Sequence, residues 1–548
     1  MSSEVRVRFA PSPTGNVHIG NIRAAIFNWL FARREGGKFL LRVEDTDKER
    51  SSKEAVDALL FCMKWLGLDY DEEIFYQSTQ AEHHLAVAQK LMDEGRAYKY
   101  QKGDGLVTFF RMPWDLENFS TVKAAGPAEN VLHVDVPVVV NESGITFALV
   151  SKKGKATPQE QMCLSGFKDL KVFNEAGDCL LDLNGVIDDV YAGLQSFELT
   201  GAVKMTFTRH LVGYTDIIKG DLSKPLDSMK DLVIVKSDGS PLFHLANICD
   251  DITQKMTHII RGDDHVENTY RHILIYEALG EKPAQYAHLP MIVNAQGRPY
   301  SKRDGDAFVG DFKTKGYLPE ALFNYLILLG WSPGDDLEKI SRVEATKLFS
   351  LDRVKSTAAQ MDMNKLYNLN GQYIAEMAAE EFATEAAEFI KEFDWFKEDK
   401  SFFNTIAAHM LSRTKLFSQI ETWSYYYTEG VEFVYETDEN GDLTPSANKV
   451  KKDVRKTLTK EGVAENLILI ADKLSEVIDF NSENIGNAVS AASEECGAGN
   501  GRLNKAIRMA VTAMGGGAEL FPTLELIGKK RVINRLRTCA DRDCKLEA

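Results

Sequence analysis

The chain has no Cys-x-x-Cys pair, and its seven cysteines are scattered and odd in number. That pattern argues against a disulfide framework and for a reduced compartment. It also lacks any apolar run long enough to span a bilayer, since stretches such as Leu326-Ile327-Leu328-Leu329 are far too short. No apolar signal core accompanies Met1-Ser2-Ser3-Glu4. A soluble, cytoplasmic protein is therefore expected. Basic residues are the minority: 65 Lys and Arg stand against 81 Asp and Glu, a net charge of −16. This excludes a uniformly basic nucleic-acid binder but not a local basic track. Lys449-Val450-Lys451-Lys452, and Lys529-Lys530-Arg531 with Arg535 and Arg537, are candidates for one. Proline is nearly absent from 376 to 548, where only Pro445 and Pro522 occur. Internal repeats and a hydrolase-like triad are also missing.

At 548 residues the chain exceeds what one core usually organises, so several domains are expected. The first hundred residues alternate strand and helix: a strand from Arg6 to Ala10, a helix near Ile22 to Arg34, a strand Lys38 to Val43 and a helix from Lys53 to Leu66. Such alternation predicts a parallel sheet with covering helices. The segment 104–211 reads as an inserted, β-rich antiparallel module, mixing β-rich stretches such as Val131 to Val140 and Ile145 to Val150 with Gly/Asp turns. The sheet is expected to resume at Leu232-Val233-Ile234-Val235 and to continue through His258-Ile259-Ile260-Arg261 into a helix near Asn268 to Leu279. A nucleotide should lie at the switch point between the halves. Beyond Gly316 the spacing turns helical, as in Glu465 to Ile478.

Two constellations carry chemistry. In Arg6-Val7-Arg8-Phe9-Ala10-Pro11-Ser12-Pro13-Thr14-Gly15-Asn16-Val17-His18-Ile19-Gly20-Asn21 a strand feeds a turn and then a helix start. Gly20 lets a nucleotide approach the backbone there, and His18 is placed to face phosphate. Far downstream stands Gly297-Arg298-Pro299-Tyr300-Ser301-Lys302-Arg303. Activating a carboxylate with ATP needs donors on both sides of the triphosphate, and two distant segments can supply them.

These motifs, with Phe27-Asn28-Trp29-Leu30-Phe31-Ala32-Arg33, Arg42-Val43-Glu44-Asp45-Thr46-Asp47, Pro241-Leu242-Phe243-His244-Leu245-Ala246-Asn247 and Ile260-Arg261-Gly262-Asp263-Asp264-His265, closely resemble the bacterial-type glutamyl-tRNA synthetases of class I. The resemblance implies a Rossmann-type α/β catalytic domain in two halves, 1–103 and 212–297. It implies an acceptor-stem module at 104–211, a lysine-loop and stem-contact region at 298–375, and an all-α anticodon-binding domain at 376–548. The implied reaction joins L-glutamate to the α-phosphate of ATP, accompanied by Mg2+, and then transfers it to tRNA(Glu). His18, Ser301 and Lys302 would be catalytic. Nucleotide contacts would come from Pro11, Thr14, Gly15, His18, Gly20 and Asn21, and from Lys302 and Arg303 on a mobile loop.

Glutamate carries two carboxylates and one ammonium, so its pocket should be rich in cations. Arg8 and Arg261 fit that need, and Glu44 can hold the ammonium. The family pocket also maps onto Ala10, Ser12, Phe243, Asn247 and His265. Arg413 aligns with a position that accompanies discrimination of glutamate from glutamine tRNAs. A monomer without membrane association is expected. Departures from the family pattern are Asn21 for a histidine, Pro299 for a lysine with Arg298 beside it, and Phe243 for a tyrosine. The Cys/His zinc cluster of many relatives is missing from Ala97-Tyr98-Lys99-Tyr100-Gln101-Lys102-Gly103, so no zinc is expected. The rival readings are a glutaminyl-tRNA synthetase, which usually carries a β-barrel anticodon region, a truncated tRNA-modifying relative, and a catalytically silent RNA-binding protein.

Overall fold

The computed structural model describes residues 4–13, 15–46, 51–103, 105–334, 337–393, 396, 399–433 and 445–545. The expected nucleotide contact Thr14 lies outside the described residues. The chain divides into two compact units, Met1–Asp311 with Phe323–Met361, and Phe312–Leu322 with Asp362–Ala548.

In the first unit the strand Arg6–Phe9 pairs in parallel with Lys38–Val43, which pairs in parallel with Phe75–Tyr76. Phe39 to Val43 are all buried, as a parallel strand covered on both faces requires. The connecting helix Ile19–Glu35 is capped by His18 and ends at Gly36, whose φ of 62° suits a residue without a Cβ. A second parallel pair, His258–Gly262 with Gln285–Leu289, meets the first at Arg6, whose carbonyl accepts from the Thr257 amide at 3.0 Å. Strand order reverses there, between Arg6–Phe9 and His258–Gly262. A crevice is expected at the carboxyl ends of those strands.

The insert is β-rich and antiparallel, around a core that includes Val138, Val140, Phe167 and Val172. Its strand Ala202–Asp216 runs on to the second parallel pair, where Asp216 pairs in parallel with Tyr286. The β-rich stretch from Val131 to Val140 spans the end of one strand and most of the next, and one expectation, on the partner of Leu232–Val235, needs correction. Val122–Val131 ends, a turn closes with the Val136 amide on the His133 carbonyl, and Val138–Asn141 begins. Leu232–Val235 is a strand, but it pairs antiparallel with Gly105–Phe110 in a separate three-stranded sheet with Ala97–Lys102. Its apolar run predicts a strand without specifying the partner.

The second unit is helical. In Val463–Glu476 the buried positions Val463, Leu467, Ile470, Ala471 and Leu474 fall on one face at helical spacing. They join Ile406, Leu503 and Leu536 in the core of that unit. Among the described residues no helix is long and apolar enough to cross a membrane.

Candidate active site

The two motifs meet. His18 Nδ1 accepts the Gly20 amide at 3.0 Å, so the ring proton resides on Nε2, which donates to the Tyr300 carbonyl at 3.1 Å across 282 positions of sequence. Burial lowers the proton affinity of His18, and the Tyr300 carbonyl only partly offsets it, so the ring is held neutral. Further backbone bonds, Ile19 to the Ala307 carbonyl at 2.9 Å and Val309 to the Val17 carbonyl at 3.0 Å, fasten the segments together. Beside this junction lies a cleft of about 690 Å³ at the switch point.

One end of the cleft is a buried charge network. Arg8, 3 % exposed, donates from Nε to Asp251 Oδ1 at 3.0 Å. Its Nη1 and Nη2 form no hydrogen bond with any described residue. Arg42 donates from Nη1 to the same Asp251 oxygen at 2.6 Å and from Nη2 to Glu44 Oε1 at 3.3 Å. Glu44 Oε1 also accepts from Asn247 Nδ2 at 2.8 Å, leaving the buried Asn247 Oδ1 without a partner among the described residues. Burial raises the Glu44 carboxyl above the usual range, outweighing the pull of Arg42 and Arg8. Burial acts the same way on Asp251, but there Arg42 and Arg8 prevail and the carboxyl stays below its ordinary value.

Arg261 closes the other wall. Its Nη2 donates to Thr269 Oγ1 at 2.8 Å, and its Nε lies 3.4 Å from His288 Nε2. His288 Nδ1 donates to Asp216 Oδ2 at 2.6 Å, with both groups fully buried. Phe243 lies between the rings of His244, His265 and His272, at centroid distances of 5.4, 5.9 and 5.7 Å. Burial, reinforced by Arg261, lowers His265 to about 4, so it is neutral near pH 7.

Of the predicted amino-acid contacts, Arg8, Ala10, Ser12, Glu44, Phe243, Asn247, Arg261 and His265 all line this cleft. Of the predicted nucleotide contacts, Pro11, His18, Gly20 and Asn21 also line it. Gly15, exposed, adopts a φ of 127° in the turn before them. Ser301, Lys302 and Arg303 are not part of the lining, although their neighbours Pro299 and Tyr300 are. Lys302 and Arg303 are exposed on the short helix Lys302–Asp304, capped where the Ser301 amide and hydroxyl each donate to Asp304 Oδ2 at 2.9 Å.

Arg413 belongs to the second unit, exposed at the end of the short helix Leu411–Arg413. Its charge lowers the proton affinity of Arg508, on which burial acts first, so the two cations are neighbours. The proposed basic track of 529–537 is partly consumed inside the fold. Arg535 is 3 % exposed and donates to the Val511 and Tyr425 carbonyls, and Lys529 donates to the Val477 carbonyl, whereas Arg537 forms an exposed pair with Asp472.

Sequence reasoning missed Arg42, Asp251, Asp216 and His288 as parts of the site. Two local signals were available. Arg42 stands two residues before Glu44 and so on the same strand face, and Asp251 stands one helical turn after Asn247 on Phe243–Thr253. Among the described residues no group of three or more His, Cys, Asp or Glu side chains could hold a metal ion.

Comparison with known proteins follows the same division. Residues 4–106 and 198–368 match the family described as tRNA synthetases class I (E and Q), catalytic domain, and residues 380–540 match an anticodon binding domain. The chain is 33% identical over 542 residues to Glutamate--tRNA ligase 2 of Thermoanaerobacter pseudethanolicus, covering 98% of each chain. It is 33% identical over 549 residues to Glutamate--tRNA ligase of Bacillus subtilis, covering 98% of this chain and 100% of that one. A crystal structure of a glutamate tRNA ligase from Elizabethkingia meningosepticum shares the fold, with a TM-score of 0.66 at 24% identity over 98% of this chain and 100% of that one.

Proposed function

We propose a division of labour within one cleft for this chain, which belongs to the class I glutamyl-tRNA synthetases and is a glutamate–tRNA ligase. In the first step the α-carboxylate of glutamate attacks the α-phosphorus of ATP, and the bond to pyrophosphate breaks. The substrate is itself the nucleophile, so no enzymic base is needed and the protein's work is positioning and charge stabilisation. Neutral His18 and the start of Ile19–Glu35 hold the nucleotide, while Ser301 and Lys302 reach the phosphates as charge develops on the departing pyrophosphate. Arg8 takes the side-chain carboxylate, Arg261 the α-carboxylate, and Glu44 with Asn247 the ammonium. Mg2+ bound with the triphosphate would neutralise part of its charge. In the second step a ribose hydroxyl of the 3′-terminal adenosine of tRNA(Glu) attacks the adenylate carbonyl, AMP leaves, and the adenylate phosphate accepts the proton.

One observation carries this reading. A single cleft beside the His18–Tyr300 junction is lined by three buried arginines and one buried carboxylate; Arg23 is engaged by the Leu329 and Pro290 carbonyls, and Arg8, Arg261 and Glu44 give the charge pattern of glutamate in reverse. Glutaminyl-tRNA synthesis would need a neutral site for an amide, and Arg8 does not provide one. Pyrophosphate exchange with ATP and tRNA present should proceed with glutamate and not with glutamine at equal concentration. Equal exchange with both would overturn the amino-acid assignment.

A further inference from the structure

Asp251 is absent from the cleft lining, yet its carboxylate bonds Arg8, which is part of that lining. Its Oδ1 accepts from Arg8 Nε at 3.0 Å and from Arg42 Nη1 at 2.6 Å, and both partners belong to strands more than two hundred positions away. Arg8, Arg42 and Asp251 are each no more than 3 % exposed. Through Arg42 the same carboxylate reaches Glu44 Oε1, which Asn247, one turn earlier on the same helix, also holds. One oxygen therefore fixes the cation proposed for the side-chain carboxylate and, at one remove, the anion proposed for the ammonium. Holding Arg8 by Nε engages that edge of the guanidinium and leaves Nη1 and Nη2 as the donors still available to a ligand.

We infer that Asp251 is a positioning residue for glutamate selection: it never touches the substrate but sets the orientation of Arg8, and through Arg42 that of Glu44. The inference rests on the assignment of Arg8 to the side-chain carboxylate. Its sign distinguishes it from plain electrostatics. An anion beside the pocket repels an incoming carboxylate, so by charge alone Asp251→Asn should tighten glutamate binding. Positioning requires the opposite, because an unanchored Arg8 loses the geometry that its charge alone does not supply.

The test is glutamate and ATP kinetics of the full chain in tRNA-dependent pyrophosphate exchange. Asp251→Asn should raise KM for glutamate by about ten- to a hundredfold, the worth of a hydrogen bond to a charged group, while KM for ATP stays within about twofold. The ratio of glutamate to glutamine activation should fall in parallel. In an Arg8→Ala background the same substitution should add little, because the two act on one contact. Asp250→Asn is the control for burial alone. Asp250 neighbours Asp251 and is fully buried, but it bonds His84 and Gln77 and acts on Arg42 through its charge alone, so its loss should move glutamate KM far less than loss of the Asp251 carboxylate. If Asp251→Asn does not fold, Asp251→Glu, which keeps the charge and shifts it by one methylene, should raise glutamate KM in the same way. An unchanged or lower glutamate KM in the Asp251 variant, with Arg8→Ala impaired, overturns the positioning role. No effect from Arg8→Ala overturns the parent assignment and this inference together.

Discussion

Arg8 and Lys302 are both assigned to charge recognition in one reaction, yet their surroundings are opposite. Arg8 is buried, anchored at Nε, and embedded with Asp251, Arg42 and Glu44 in a network made by the protein's own side chains. Lys302 is exposed, and the turn it stands on is held by Ser301 and Asn294 on Asp304. A buried cation with its counter-charge in place needs little reorganisation and discriminates by geometry, which suits the reading of a small amino acid. An exposed ammonium is weak in water and gains strength only when phosphates and a closing site exclude solvent around it. On the proposed assignments, selection falls to the buried end of the cleft and activation to an exposed turn beside it.

The sharpest way to break that comparison is Arg8→Ala. It should cost on the order of 2–5 kcal/mol in apparent glutamate binding, mostly the penalty of an unpaired carboxylate, and spare ATP affinity. Loss of both together would mean that the two ends are not separable. Lys302→Ala should show the converse, with adenylate formation slowed by about 10²- to 10³-fold by analogy with loss of a transition-state donor, and tRNA affinity nearly unchanged. A fully retained activation rate would remove Lys302 from the chemistry.

A pH series sharpens the picture at Glu44. Burial raises its carboxyl above the ordinary value of 4.5, and only the ionised form can hold the substrate ammonium. Glutamate affinity should therefore be full above that raised value and fall as pH drops through it, earlier than for an exposed carboxylate. In Glu44→Gln glutamate KM should be high and flat over the same range. A flat wild-type profile down to the ordinary value would contradict the assignment. The smallest effect is expected at Arg413, far along the chain and exposed. On an unpaired cytosine, the third anticodon base of tRNA(Glu), a guanidinium meets the O2 and N3 acceptors, whereas the guanine of tRNA(Gln) presents N–H donors. Charging both tRNAs with Arg413→Gln should show relaxed discrimination. Equal loss on both with an altered salt slope would indicate a phosphate contact instead.

The sequence made the parallel strands, their helices and the helical second unit legible because each has a strong period of its own. Lys38–Val43 and His258–Gly262 were located to within a residue. Partner choice was not legible. Leu232–Val235 pairs with Gly105–Phe110 because the chain between them folds back, which a local pattern does not encode. The same holds in the site. Arg8, Glu44 and Arg261 could be named from motif and charge, whereas Asp216 could not, because its role arises from a contact across 72 positions; Asp251 was signalled only by its spacing from Asn247, with its partner Arg8 lying 243 positions away. Arg535 shows the reverse error, a cation read as surface that instead closes backbone carbonyls inside its unit.

The central claim is that the buried end of the cleft, and Arg8 above all, selects glutamate independently of the nucleotide end. The most direct measurement is the ratio of kcat/KM for glutamate to that for glutamine in pyrophosphate exchange, for wild type and Arg8→Ala, with KM for ATP read in the same experiment. The account predicts a strong preference for glutamate in wild type that collapses by about 30-fold or more in the variant, the lower bound of the 2–5 kcal/mol expected for an unpaired charge, with ATP KM unmoved. A ratio that survives Arg8→Ala, or one that falls only in step with ATP binding, would contradict it.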